Sequence, residues 1–182
     1  MWKYDNLSKF QLELLDKGIL QLGGSVDEEM AMYVQESLLR LKARGSPAIE
    51  VRITSNGGSV STSLNIYDML RMYPGEKTGI VEGFARSMAA VVLQACEKRK
   101  ALKHCKILIH HISKSSVSLD VVLDETKLRE LRADLEKDQA RIYTIFSEKT
   151  KKNAEDVKAK CAEDTDMTAE EAQSFGLIDE IL

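Results

Sequence analysis

The sequence has no long hydrophobic run, few cysteines and no large excess of charge of either sign. Its longest apolar stretch, Met88 to Leu93, is far shorter than the ~18 residues of a membrane-spanning helix. Three cysteines without a CxxC pair, and a start at Met1 to Asp5 without an apolar signal segment, favour a cytoplasmic location. The net charge of -3 gives no reason to expect nucleic acid or a membrane as a partner.

Proline and histidine are also scarce. Two prolines, and no run rich in Gly, Ser or Pro, predict one continuous domain over residues 1–182. Three scattered histidines and three scattered cysteines lack the spacing of metal ligands, so no metal site is expected. The basic clusters at 98–100 and 149–152 are interpreted as solvated surface.

Short strands and helices alternate over the first two thirds of the chain. Strands are predicted at 18–22, 49–53, 78–82 and 106–110, with turns at 54–58 and 83–86. Helices are predicted from Ser25, in a capping box with Glu28, over 61–72, and from Ser87 to about Cys96. Strands separated by helices imply βαβ units and a largely parallel sheet, hence an α/β fold.

The last third has a helical period. An amphipathic helix is predicted over 124–149, and a shorter helix over 153–161. Thr168 and Glu171 form a capping box for a third helix, which ends at Gly176 before an extended segment at 177–182. The apolar stripe of the long helix consists of Leu128, Leu131, Leu135, Ile142 and Ile145.

Three short motifs can carry chemistry. Ser87 stands at a strand-to-helix turn, where a side chain is exposed and free helix N–H groups suit a developing oxyanion; the alternative is a simple helix cap. The pair Gly57-Gly58 after a strand lets another chain approach closely and can offer an N–H to a substrate carbonyl. A plain turn is one alternative, and phosphate binding is another, although the spacing matches no phosphate-binding motif. His110 ends an apolar strand, and alternation sends His111 to the opposite face.

The order and spacing of these motifs resemble the ClpP family of self-compartmentalising serine peptidases. The resemblance covers about residues 15–182 and includes four blocks: Ser55-Asn56-Gly57-Gly58, Ala85-Arg86-Ser87-Met88-Ala89-Ala90, Ile107-Leu108-Ile109-His110, and the segment 164–179. It implies a ClpP/crotonase-like fold of repeated ββα units with a projecting handle helix. The head would comprise about 15–112 and 153–182, and the handle region about 113–152.

The resemblance also implies the roles of individual residues. Ser87 would be the nucleophile, His110 the general base and Asp164 the carboxylate that orients the histidine, while the N–H groups of Gly58 and Met88 would form the oxyanion hole. Such chemistry needs no cofactor. Asp166 is a rival for the third position, but it falls where the family usually has an apolar residue.

The sequence departs from the family pattern at several points. Asn56 replaces a proline, Arg86 replaces a small residue, and His111-Ile112 replaces Gln-Pro. The segment 113–119 lacks the usual glycines, and the part before Gly18 is unlike the loops that meet an unfoldase. These differences suit a divergent or phage-type member, including one that works in capsid maturation.

The resemblance implies an assembly and leaves alternative functions. A ring of six or seven subunits is expected, with two rings stacked through the long helix, a peptide or unfolded protein as substrate, and an AAA+ unfoldase as a further partner. A catalytically idle subunit beside an active paralogue is one alternative. A crotonase-type acyl-CoA enzyme, which shares the fold, is another.

Overall fold

The computed structural model describes residues 7–114 and 116–182, and a parallel sheet lies at its centre. The strands are β1 (Ile19–Val26), β2 (Ile49–Gly58), β3 (Lys77–Arg86), β4 (Lys98–Ala101), β5 (Lys106–Leu108) and β6 (Glu180–Ile181). They run in the order β1-β2-β3-β4-β6, and β5 pairs with the second half of β3. Every pairing between these strands is parallel, so the predicted α/β class is confirmed.

Helices connect and cover these strands. They are α1 (Lys9–Asp16), α2 (Glu28–Ala43), α3 (Val60–Arg71), α4 (Met88–Leu93), α5 (Leu119–Leu123), α6 (Glu125–Thr150), α7 (Ala154–Glu163) and α8 (Ala169–Phe175). The capping box of α8 and the left-handed Gly176 at its end are confirmed. The predicted start of α2 is wrong, because Ser25 lies in β1 and Asp27 caps the helix by accepting a hydrogen bond from the Met30 N–H.

Two predicted turns are in fact continuations of strands. β2 runs on through 54–58 and β3 through 83–86, after an irregularity in their pairing between Ile53 and Ser55. The predicted strand at 106–110 is shorter, ending at Leu108, because only this part pairs with β3. The two longest strands therefore extend the sheet at its carboxyl end, where side chains from neighbouring strands converge.

The basic cluster at 98–100 lies in β4, where Lys98 is exposed but Arg99 is buried, so the interpretation as solvated surface is wrong for Arg99. Arg99 is 6% exposed and uses both its backbone N–H and its guanidinium on Asp179, at 2.7 Å and 3.1 Å from Oδ2. The second cluster is only partly solvated, since Lys149 is half-buried and donates to the Cys96 carbonyl. Burial lowers the pKa of Lys149, and the positive charges of Arg71 and Arg99 add to this effect.

Helix α4 is buried along its whole length. Its six residues, MAAVVL, are all apolar, and a helix without a polar face belongs inside the core. This burial fixes the start of the helix, and with it Ser87, against the end of the sheet.

Helix α6 is buried only near its C-terminal end. Its buried residues are Ile142, Phe146 and Thr150, and Leu128 in its first part is 44% exposed. The first half of the apolar stripe therefore does not pack into the core of this chain.

Within residues 7–114 and 116–182, no helix has both the length and the apolar character that a membrane span requires.

Candidate active site

Ser87 lies between β3 and α4 in an unusual backbone conformation. Its φ of 53° and ψ of -126° belong to a region that non-glycine residues rarely occupy, at a typical cost of about 1–3 kcal/mol. The Ser87 N–H donates to the carbonyl of Leu108 at 2.8 Å, which helps to hold the turn. The side chain makes no capping hydrogen bond, so the simple cap is not its role in this structure.

The glycine pair lies directly against this turn. Gly57 has a φ of +89°, and a Cβ on it would lie 2.8 Å from the Arg86 carbonyl oxygen and 2.9 Å from the Met88 nitrogen. A Cβ on Gly58 would lie 2.4 Å from the carbonyl oxygen of Val26. Both positions therefore require glycine, because the chain's own backbone approaches them closely.

His110 follows β5 and reaches the serine. Its Nε2 lies 2.7 Å from the Ser87 Oγ, which is an ordinary hydrogen-bond distance. The ring of the next residue, His111, turns to helix α6, where its Nδ1 lies 2.7 Å from the Tyr143 hydroxyl. The N–H of Ile112 then donates to the Gln139 side chain at 2.6 Å, so α6 holds the chain beyond His110.

The two aspartates have different partners. Asp164 Oδ1 lies 3.5 Å from His110 Nδ1, and the Asp164 side chain is 67% exposed. Asp166 instead accepts two hydrogen bonds from Arg86, at 2.7 Å each. The hydrogen bonds and charge of Arg86 lower the pKa of Asp166 below its ordinary value. Asp166 is thus engaged elsewhere, and Asp164 is the carboxylate that stands beside the histidine.

A cavity of about 60 Å³ opens beside the serine. Gly58 and Met88, the two predicted oxyanion donors, line it together with Ser87 and His110. The N–H of Met88 belongs to the first residue of α4, and such N–H groups have no partner inside their own helix. The remaining lining residues are Val60, Val91, His111, Ile112, Ser113, Ile142 and Phe146. Five of these seven residues are apolar.

Sequence reasoning missed the surroundings of Arg86. Its guanidinium contacts Asp166, donates to the Asn56 Oδ1 at 3.0 Å and lies 4.9 Å from the centre of the Phe84 ring. The three polar residues are far apart in the chain. The only sequence signal was that each of them departs from the family pattern.

The chain matches a known protein family along almost its whole length. The pattern of the family described as Clp protease matches residues 3–182. A protein of Bacteroides thetaiotaomicron named ATP-dependent Clp protease proteolytic subunit is 33% identical over 181 residues, which are 97% of this chain and 79% of the relative. A protein of Streptomyces coelicolor named ATP-dependent Clp protease proteolytic subunit 3 is 33% identical over 176 residues, which are 93% of this chain and 77% of the relative.

Proposed function

The chain belongs to the Clp protease family, and on that premise we propose that it is a serine endopeptidase with Ser87 as its nucleophile. The observation that carries the proposal is the 2.7 Å contact between Ser87 Oγ and His110 Nε2, made at a strained turn. Strained backbone of this kind persists only where its surroundings impose it, and it is concentrated at active sites.

The reaction then follows from this contact. His110 Nε2 accepts the proton of Ser87 as Oγ bonds to the scissile carbonyl carbon. His110 returns that proton to the leaving amine when the C–N bond breaks, which leaves an acyl-enzyme. A water molecule, deprotonated by the same histidine, attacks the ester carbon; the C–Oγ bond then breaks, the acid is released, and His110 returns the proton to Ser87 Oγ. Asp164 supports the histidine from Nδ1, and the N–H groups of Gly58 and Met88 stabilise the oxyanion.

The alternatives differ in what supports them. The relatives are named as proteolytic subunits, which favours a peptidase over an acyl-CoA enzyme. A catalytically idle subunit would have no need for a serine hydroxyl held within hydrogen-bond distance of a histidine. A role in capsid maturation would use the same chemistry on a different protein substrate.

A fluorophosphonate probe tests the proposal directly, because it reacts only with an activated serine. We expect mass spectrometry to find one adduct, on Ser87, in a protein that also cleaves peptides or casein. An unlabelled and inactive protein would support the idle subunit. Acyl-CoA binding without peptide cleavage would support the crotonase-type enzyme.

The exposed part of α6 supports an assembly. At about 1.5 Å per residue, α6 is nearly 40 Å long, and its buried side chains all lie in its last third. Leu119 and Leu123 of α5 are 70% and 75% exposed beside it. We assign residues 113–152 to a handle and the rest to a head, and place the handle between two stacked rings of six or seven subunits. Because the relatives are named as subunits of ATP-dependent proteases, we also propose an AAA+ unfoldase as a partner. The proposed location is cytoplasmic.

The first prediction concerns this assembly. Light scattering should give the mass of two rings, each with six or seven copies of the 20.4 kDa chain. The double variant Leu123→Glu/Leu128→Glu should yield single rings, because it places charges in the apolar contact between them. Met72→Glu is the control, since Met72 is 75% exposed and lies outside the handle. An active wild-type monomer would contradict the enclosure of the sites, whereas single wild-type rings would contradict only the stacking.

The second prediction separates the two aspartates. Asp164→Asn should lower kcat by about 10⁴, because the amide no longer stabilises the imidazolium or fixes its tautomer. Asp166→Asn should cost no more than about tenfold, because Asp166 faces Arg86 and acts on the histidine only indirectly. Steady-state kinetics on one peptide substrate measure both. Damage from the Asp166 change alone would show that the third member is misassigned, and two mild effects would indicate a Ser-His dyad.

A further inference from the structure

We propose that Arg86 is a positioning residue of this site: by holding Asp166, it fixes the segment 164–167 and thereby the Asp164 carboxylate beside His110. The inference rests on the proposed function and goes beyond it, because it adds a residue that touches neither the substrate nor the reacting atoms.

Asp164 itself is weakly held. It lies just after the end of α7 with a left-handed backbone, at φ 46° and ψ 45°. Within residues 7–114 and 116–182, His110 at 3.5 Å is the only polar partner of its carboxylate. An exposed aspartate with one distant partner does not fix its own position, so the neighbouring residues must do so.

Two contacts tie this segment to the rest of the site. Met167 exchanges backbone hydrogen bonds with Ile107, at 2.7 Å and 3.0 Å, and this joins it to β5. Asp166 accepts hydrogen bonds from Nε and Nη2 of Arg86, one on each carboxylate oxygen. A bidentate contact of this kind sets orientation as well as distance.

The position of Arg86 in the chain gives the contact its effect. Arg86 directly precedes the nucleophile Ser87, and Asp166 follows Asp164 by two residues. The contact therefore links the two ends of the Ser-His-Asp arrangement without passing through His110. Both side chains are about one-third exposed, at 32% and 31%, and ion pairs with that exposure add little to stability. The effect of Arg86 should accordingly appear in catalysis.

A second route must be distinguished. Nη1 of Arg86 donates to Asn56, in the loop that carries Gly57 and Gly58. If Arg86 acted through this loop, its loss would weaken the oxyanion site and would not depend on Asp164.

The experiment begins with Arg86→Met, which removes the polar contacts and retains most of the side-chain volume. We expect kcat to fall by about tenfold while KM stays within about twofold and the melting temperature within about 2 °C. The matched control is Arg52→Met. Arg52 is 35% exposed, pairs with Glu50 and Glu82, and does not line the cavity, so its loss should leave kcat unchanged. If Arg86→Met does not fold, Asp166→Asn removes the same contact from the other side and should give the same fall in kcat.

The route is then tested in an Asp164→Asn background, with an activated ester as a sensitive substrate. If Arg86 acts through Asp164, the added Arg86→Met change costs nothing further. If Arg86→Met lowers kcat by a further factor of about ten in that background, the proposal is overturned, and Arg86 acts through the Asn56 loop. An unchanged kcat for Arg86→Met alone would also overturn it. An inactive wild-type protein, by contrast, would overturn the proposed function itself.

Discussion

Replacing Ser87 with alanine is expected to lower kcat by on the order of 10⁶, to the background rate, while leaving the fold and the assembly intact. The hydroxyl is the atom that would form the covalent acyl-enzyme, and no other group can take its place. Among residues 7–114 and 116–182, the hydroxyl hydrogen-bonds only to His110, and that ring is 24% exposed, so the substitution leaves no fully buried group without a partner. The free energy of unfolding should change by less than about 1 kcal/mol.

The control for this substitution is Ser46→Ala. Ser46 has a φ of 55°, close to the 53° of Ser87, and it does not line the cavity. The two variants therefore make the same chemical change at two serines that both have a positive φ. Only the Ser87 variant should lose peptide cleavage and labelling by the fluorophosphonate. Near-normal cleavage by purified Ser87→Ala protein would mean that the nucleophile lies elsewhere.

The contact between Ser87 and His110 could be anticipated from the sequence better than the sheet that carries these residues. Ser87 and His110 stand in motifs of small and apolar residues, and such local patterns are legible in a single chain. The extensions of β2 and β3 were missed because Gly57, Gly58 and Gly83 are typical of turns. Here the glycines keep the strands close to each other and to Ser87. This role depends on contacts between distant segments.

Charged residues gave further errors. Arg99 was expected at the surface because it lies between two lysines, but its partner Asp179 is 80 residues away. Burial raises the pKa of Asp179, yet its hydrogen bonds from Arg99 outweigh this and leave that pKa below its ordinary value. Arg86 and Asp166 are likewise 80 residues apart. Composition and periodicity carry no information about such pairs, because each residue alone resembles an ordinary solvated charge.

The two adjacent histidines provide the second large effect. His110→Ala should lower kcat by about as much as Ser87→Ala, because a nucleophile and its base act as one unit. His111→Ala should cost less than about tenfold, although it changes the same residue type one position away. The comparison is well controlled, since the two variants differ only in which ring is removed.

The reason lies in the partners of the two rings. His110 Nε2 reaches the Ser87 Oγ, whereas the His111 ring meets the Tyr143 hydroxyl on α6 with its plane at 80° to the tyrosine ring. Loss of His111 removes one of the two hydrogen bonds that the described residues of this segment make with α6. The other tie, from the Ile112 N–H to Gln139, remains and should keep His110 close to its present position. Both variants should therefore fold and assemble, and kcat on a peptide substrate should separate them by several orders of magnitude. A larger loss of kcat from His111→Ala than from His110→Ala would mean that His111 is the base and His110 is not.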